Sequence, residues 1–182
     1  MKIIETNIPD VKILEPAVFS DDRGYFLETW NAQGFSKAGL SWTFVQDNQS
    51  KSRRNVLRGM HYQIQSPQAK LVRVVTGAIY DVAVDVRRNS PTFGHWVGTE
   101  LSENNHRMMW IPVGFAHGFL SLTDETQLVY KCTDFYASQY ERTIMWNDPD
   151  LAISWPIPAG ERPIISGKDS AGSPLKEADL FA

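Results

Sequence analysis

What the 182-residue sequence has little of narrows the field first. It has one cysteine, Cys132, which excludes an internal disulfide and a cysteine-rich zinc site. Its expected place is in the interior, as a small hydrophobe. No run approaches about 18 apolar residues, so no membrane-spanning helix is expected. The opening stretch "MKIIETNIPDVKI" carries Glu5 and Asp10 where a secretory signal needs continuous apolar residues, and a cytosolic protein is the expectation. Charge of neither sign dominates. Eighteen Lys and Arg against 21 Asp and Glu leave a net charge of -3, so no basic footprint calls for nucleic acid. No glycine-rich phosphate loop or dinucleotide fingerprint occurs, which argues against nicotinamide and P-loop enzymes. There is also no long stretch of helical apolar spacing, no internal repeat and no interdomain linker.

What is there reads as strand. Aromatics, Val and Ile recur between short polar breaks such as "SPQ", "TG", "NSPTFG", "SENN" and "TDE", whose Gly, Pro, Asn and Asp supply turn geometry. The pattern predicts strands over 25–30, 42–48, 55–62, 70–76, 79–86, 96–101, 107–111, 117–122 and 126–133, and one short helix over 31–39. The "SKSRRN" stretch reads as a turn or sheet edge. Many short strands at near-even spacing imply an all-β, antiparallel jelly-roll barrel with its core at about 25–145. The proline-rich tail from about 146 to 182 is expected to wrap over it without regular structure. A chain of this length suits one domain spanning 1–182.

Side chains alternate across a strand, and that parity sorts the polar residues. In "KLVRVV", Lys70 shares a face with Val72 and Val74; in "TQLVYKC", Tyr130 shares one with Leu128 and Cys132; Gln46 and Asn48 share one with Phe44. Arg58 and His61 have opposite parity, so both reach one pocket only if Gly59 carries a bulge or kink. Asp81 and Asp85 share a face in "IYDVAVDV", with a solvated face as the default.

Two stretches resemble the paired motifs of cupin barrels, in which His-x-His, a following Glu and a later His hold a metal. Here they read His61-x-Gln63 with Lys70 following, and Pro112-x-Gly114-x-x-His117. Gln63 stands in place of a histidine, and Lys70 puts a cation near where the carboxylate belongs. Two imidazoles beside an ammonium make a poor divalent-metal site, so neither metal nor other cofactor is expected. A lysine there can instead stabilise an oxyanion. An imidazole suits the base that forms an enolate beside a ketone, which makes His61 a candidate, and an inward Tyr130 is a candidate acid on the other face. A core histidine or tyrosine with satisfied hydrogen bonds is the competing reading of each. The convergence of His61, Lys70, His117 and Tyr130 on one interior favours a site, because burying that many polar groups is costly. Arg23 and Arg58 each precede a glycine, and paired guanidiniums suit a diphosphate.

The stretches "DDRGYFLETW", "FVQDNQSKSRRNVLRGMHYQ", "KLVRVVTGAIYDVAVDVRRNSPTFGHWVG", "WIPVGFAHGFL" and "VYKCTDFYASQYERTIMWNDP" together resemble the dTDP-4-dehydrorhamnose 3,5-epimerases over nearly the whole chain. The resemblance implies a metal-free cupin jelly roll, usually a homodimer, acting on a dTDP-4-keto-6-deoxy sugar nucleotide on the way to dTDP-L-rhamnose. It implies His61 as the base, Tyr130 as the acid, Asp169 in "SGKDS" as the carboxylate paired with the histidine, and Lys70 as the stabiliser of the enolate oxygen. It makes Arg23 and Arg58 the diphosphate ligands, Tyr136 the aromatic that stacks on thymine, and Glu28, Gln46, Asn48, His117, Glu141 and Lys168 further nucleotide or sugar contacts. An epimerase inverting only C3 or only C5 keeps the same base and acid. A non-catalytic sugar-nucleotide binding module would dispense with His61 or Tyr130, and a metal-dependent oxygenase or isomerase would need the missing ligands.

Overall fold

The computed structural model describes residues 1–37 and 39–182. Among these residues the chain forms strands β1 Lys2–Glu5, β2 Lys12–Glu15, β3 Val18–Asp21, β4 Gly24–Leu27, β5 Gln46–Ser52, β6 Leu57–Gln63, β7 Lys70–Thr76, β8 Ala78–Asp85, β9 Trp96–Ser102, β10 Met108–Ile111, β11 Phe115–Ser121, β12 Thr126–Cys132 and β13 Glu141–Thr143. Helices α1 Ala32–Lys37 and α2 Gly167–Ser170 are short. The strands build two antiparallel sheets, ordered β1-β2-β10-β7-β12-β5 and β13-β6-β11-β8-β9, with β3 and β4 as a separate hairpin. This is the expected antiparallel jelly roll.

Alternation explains the layers. Val72, Val74, Met109, Ile111 and Leu128 of the six-stranded sheet meet Ile79, Ala83, Val97, Phe115 and Phe119 of the five-stranded sheet. Each large aliphatic side chain buried there contributes roughly 1.5–3 kcal/mol relative to exposure. The opposite-parity residues Leu71, Met108 and Trp110 face outward from the six-stranded sheet, where Phe35 of α1 and the stacked Trp42 cover them. Outside the five-stranded sheet, Met60, Tyr62, Val82 and Val84 lie beneath Leu151, Leu175, Ala178 and Leu180 of the tail.

Several expectations change. Three strands, β1 to β3, precede the expected start of the core at about residue 25; β1 and β2 extend the six-stranded sheet, and Leu14 of β2 is fully buried. The four-residue sequences of β1 and β2, "KIIE" and "KILE", are too short to show a period. The strand expected over 42–48 runs instead over Gln46–Ser52, through part of "SKSRRN", as an edge strand paired only to β12. Trp42 and Phe44 leave it to join the aromatic cluster. The helix expected over 31–39 is realised as Ala32–Lys37, opened by the side-chain Oδ1 of Asn31 accepting from the backbone N–H of Gln33 and Gly34; Ala38 lies outside the described residues. The tail is not wholly irregular, since it contains α2 and a 3-10 turn at Leu175–Glu177.

Candidate functional site

The site begins at a fault in the pairing of β6. His61 pairs with His117 of β11, yet Arg58 pairs with Phe119, so three steps along β6 match two along β11. The expected bulge is therefore present at Gly59. It turns Arg58 to the same side as His61, and both line one cavity. Gly59 sits at φ +128°, and a Cβ there would overlap Gly118 Cα and approach the His117 carbonyl oxygen to 2.8 Å. Only glycine suits this position.

That cavity, about 180 Å³, is lined by Ser50, Arg58, His61, Lys70, His117, Phe119 and Tyr130. A neighbouring cleft shares His61, Lys70 and Tyr130 and continues to Gln63, Tyr136 and Glu141. His61 and His117 project from the five-stranded sheet, whereas Lys70 and Tyr130 project from the six-stranded sheet opposite.

His61 Nε2 lies 2.6 Å from Oδ1 of Asp169, 108 residues away and buried. Asp169 is fixed by α2, where its N–H donates to the Ser166 hydroxyl capping the helix. Burial opposes its ionisation, but hydrogen bonds from His61, Ser166 and the Gly59 N–H, with the attraction of His61, hold its pKa below the usual carboxylate value. A carboxylate only accepts, so Nε2 donates to Asp169, and in the neutral ring the lone pair is then on Nδ1.

A second pair stands beside the first. His117 Nε2 is 2.7 Å from Oδ1 of Asp81, and both side chains are buried. Burial lowers the His117 pKa against the pull of Asp81. The default of a solvated face is thus wrong for Asp81, and also for Asp85, which has no exposed surface and accepts from Arg87, Ser90 and Thr92. Both faces of β8 are buried, so its alternation alone does not tell inside from outside. Asp81 is a site residue that sequence reasoning missed; the packing of β8, which sets Ile79 and Ala83 against the six-stranded sheet, shows that its face is the inner one.

Lys70 Nζ lies 5.9 Å from the centre of the Tyr130 ring. Burial lowers the Lys70 pKa, opposed by Cys132, Asp81 and Glu141, while burial and the neighbouring acidic groups raise that of Tyr130. Tyr130 is therefore held as a neutral phenol. Cys132 is buried as expected, and Asn48 Nδ2 approaches its sulfur at 3.6 Å. At the rim, the Tyr136 hydroxyl donates to Glu141 Oε2 at 2.7 Å, and Lys168 pairs with the same oxygen at 2.5 Å. Gln46 accepts the Tyr136 N–H at 2.9 Å, and Arg58 donates to Ser52 and the Lys51 carbonyl.

Two expected site residues are not brought here. Arg23 is engaged with Asp21 in the turn of the β3–β4 hairpin and borders a separate surface cleft made by that hairpin. Glu28 accepts from Asn31 beside α1. Among the described residues, no group of three or more His, Cys, Asp or Glu could hold a metal ion, and no helix is long and apolar enough to cross a membrane.

Comparison with known proteins bears on the same constellation. The family profile of the dTDP-4-dehydrorhamnose 3,5-epimerases matches residues 5–177. The Pseudomonas aeruginosa dTDP-4-dehydrorhamnose 3,5-epimerase is 53% identical over 182 residues, covering 100% of this chain and 99% of that protein. The crystal structure of a dTDP-6-deoxy-D-glucose-3,5-epimerase from Legionella pneumophila, in complex with dTDP-4-keto-L-rhamnose, superposes with a TM-score of 0.95 at 48% identity, covering 99% of this chain and 97% of that one. A 3'-monoepimerase from Streptomyces bikiniensis, in complex with dTDP-quinovose, superposes at 0.88 with 37% identity, covering 94% and 87%. With a full-length match in sequence and in fold around a two-walled cavity of titratable residues, the chain belongs to the dTDP-4-dehydrorhamnose 3,5-epimerase family of isomerases.

Proposed function

We propose that the protein inverts C3 and C5 of dTDP-4-keto-6-deoxy-D-glucose, without a metal, to give dTDP-4-dehydro-L-rhamnose. The observation that carries this is the division of the cavity between two walls: His61 of the five-stranded sheet, backed by Asp169 of α2, faces Tyr130 and Lys70 of the six-stranded sheet. Inversion at carbon needs that separation of base and acid. His61 Nδ1 removes the proton beside the C4 ketone, and the electron pair passes to the C4 oxygen. The Lys70 ammonium stabilises the resulting enolate, and Asp169 stabilises the imidazolium. Tyr130 then returns a proton to the opposite face of the carbon, and solvent resets both residues. Tyr136 stacks on the thymine, Arg58 binds the diphosphate, and Gln46, Asn48, His117, Glu141 and Lys168 contact the nucleotide or sugar.

Arg23 and Glu28 enter in trans, in a cytosolic homodimer. Support comes from the β3–β4 hairpin, where Phe19 and Phe26 are 65% and 69% exposed; a two-stranded hairpin this apolar needs a surface to lie on. Dimer formation in sedimentation equilibrium, lost on Phe19→Ser/Phe26→Ser substitution, is the expected result; a monomeric wild type would refute it.

The test of activity is an NMR time course with dTDP-4-keto-6-deoxy-D-glucose in D2O. Deuterium entering at both C3 and C5 is expected. The second reading, favoured by the likeness to the 3'-monoepimerase, predicts deuterium at one carbon. Entry at neither, with dTDP still bound, would leave a binding module.

A further inference from the structure

Gln63 occupies the place where a cupin places a metal-binding histidine, and the reaction above leaves it without a task. It is 4% exposed and follows His61 by two residues, on the same face of β6. Its amide is fully committed to backbone. Nε2 donates to the carbonyl of Ser66 at 2.7 Å and to that of Phe135 at 3.2 Å, while Oε1 accepts the N–H of Ala137 at 2.8 Å. Both amide hydrogens are therefore spent, and Gln63 has no donor left for a ligand.

Phe135 and Ala137 are the residues on either side of Tyr136. Tyr136 is tied down twice more, by its N–H to Gln46 and by its hydroxyl to Glu141, yet the residue is 54% exposed. An exposed aromatic ring whose main chain is fixed on both sides loses little further freedom when a flat group stacks on it. We propose that Gln63 is a positioning residue for nucleobase recognition, holding the 135–137 backbone so that the Tyr136 ring meets the base; this rests on the sugar-nucleotide reading of the site. A glutamate at 63 would lack both donors and set a carboxylate against two carbonyl oxygens. A methionine would keep the length and lose all three bonds.

The test compares Gln63→Met and Gln63→Glu with Tyr136→Ala and with Gln63→Met/Tyr136→Ala. Calorimetry gives the affinity for dTDP and for inorganic pyrophosphate, and steady-state kinetics gives KM and kcat. Loss of the stacked base is the effect expected, about tenfold in dTDP affinity for Gln63→Met. KM should rise in parallel, with kcat within threefold and pyrophosphate affinity unchanged. The double variant should bind dTDP no more weakly than Tyr136→Ala alone, because Gln63 acts through that ring. Parallel loss of pyrophosphate affinity, a fall in kcat at constant KM, or additive losses would overturn the proposal. Should Gln63→Glu fail to fold, Gln63→Met decides. A wild type that binds no dTDP overturns the sugar-nucleotide reading and this proposal with it, whereas tight wild-type binding left unchanged in Gln63→Met overturns the proposal alone.

Discussion

Asp169→Asn tests the coupling between tail and base most finely. The substitution keeps size and shape but removes the charge that accepts the His61 Nε2 proton at 2.6 Å. A charge-assisted hydrogen bond is worth about 1.5–3 kcal/mol, and each 1.36 kcal/mol is a factor of ten in rate. Because the imidazolium forms only as the proton leaves carbon, this energy belongs to the transition state. The loss expected in kcat is thus roughly 10- to 150-fold. The asparagine side chain can also turn its amide toward Nε2 and donate, which would force the proton onto Nδ1 and remove the lone pair, so the upper part of the range is favoured. Deuterium incorporation at C3 and C5, followed by NMR in D2O, is the assay, with dTDP affinity as control. Both carbons should slow by the same factor while dTDP affinity changes less than twofold. A loss under threefold would refute a carboxylate acting on the base, and slowing at one carbon only would refute a single shared base.

Three further outcomes follow from the same geometry. Tyr130→Phe removes the acid but leaves the base, so inversion should fall by about 10²–10⁴-fold while exchange of the substrate protons with solvent falls less; equal loss of both would contradict the assignment. Gly59→Ala should destabilise by on the order of 3 kcal/mol, through backbone strain at φ +128° and overlap with Gly118; a urea-unfolding difference under about 1 kcal/mol would show that β6 does not lie so close to β11. For Asp85, burial opposes ionisation but hydrogen bonds from Arg87, Ser90 and Thr92 outweigh it and hold the pKa at about 2, below the ordinary 3.8. A carboxylate whose folded pKa is lowered stabilises above the unfolded value and loses that contribution as pH falls through the folded one, here between about pH 4 and 2, for about 2 kcal/mol; Asp85→Asn should remove that increment of acid sensitivity in urea titrations, and an unchanged dependence would contradict it.

Period-two alternation carries far in this chain. It puts Lys70 and Tyr130 on the interior face with Val72, Val74 and Leu128, and the opposed parity of Arg58 and His61 requires the irregularity found at Gly59. It fails where its assumptions fail. On β8, where Asp81 and Asp85 alternate with Val82 and Val84, every position from Asp81 to Asp85 is buried, so alternation alone does not choose the inner face. The pairing of His61 with Asp169 spans 108 residues and depends on how the tail crosses the five-stranded sheet, which no local pattern encodes. The four-residue strands β1 and β2 are shorter than any readable period, and Trp42 and Phe44 looked like strand because an aromatic cluster and a strand draw on the same residues.

The central claim is that one histidine on one wall removes both protons. The measurement that tests it most directly is deuterium incorporation in His61→Asn, with dTDP-4-keto-6-deoxy-D-glucose in D2O. No deuterium at C3 or C5, with dTDP bound as tightly as by the wild type, is the predicted result. Exchange persisting at either carbon would contradict it and assign that proton to a second base in the cavity.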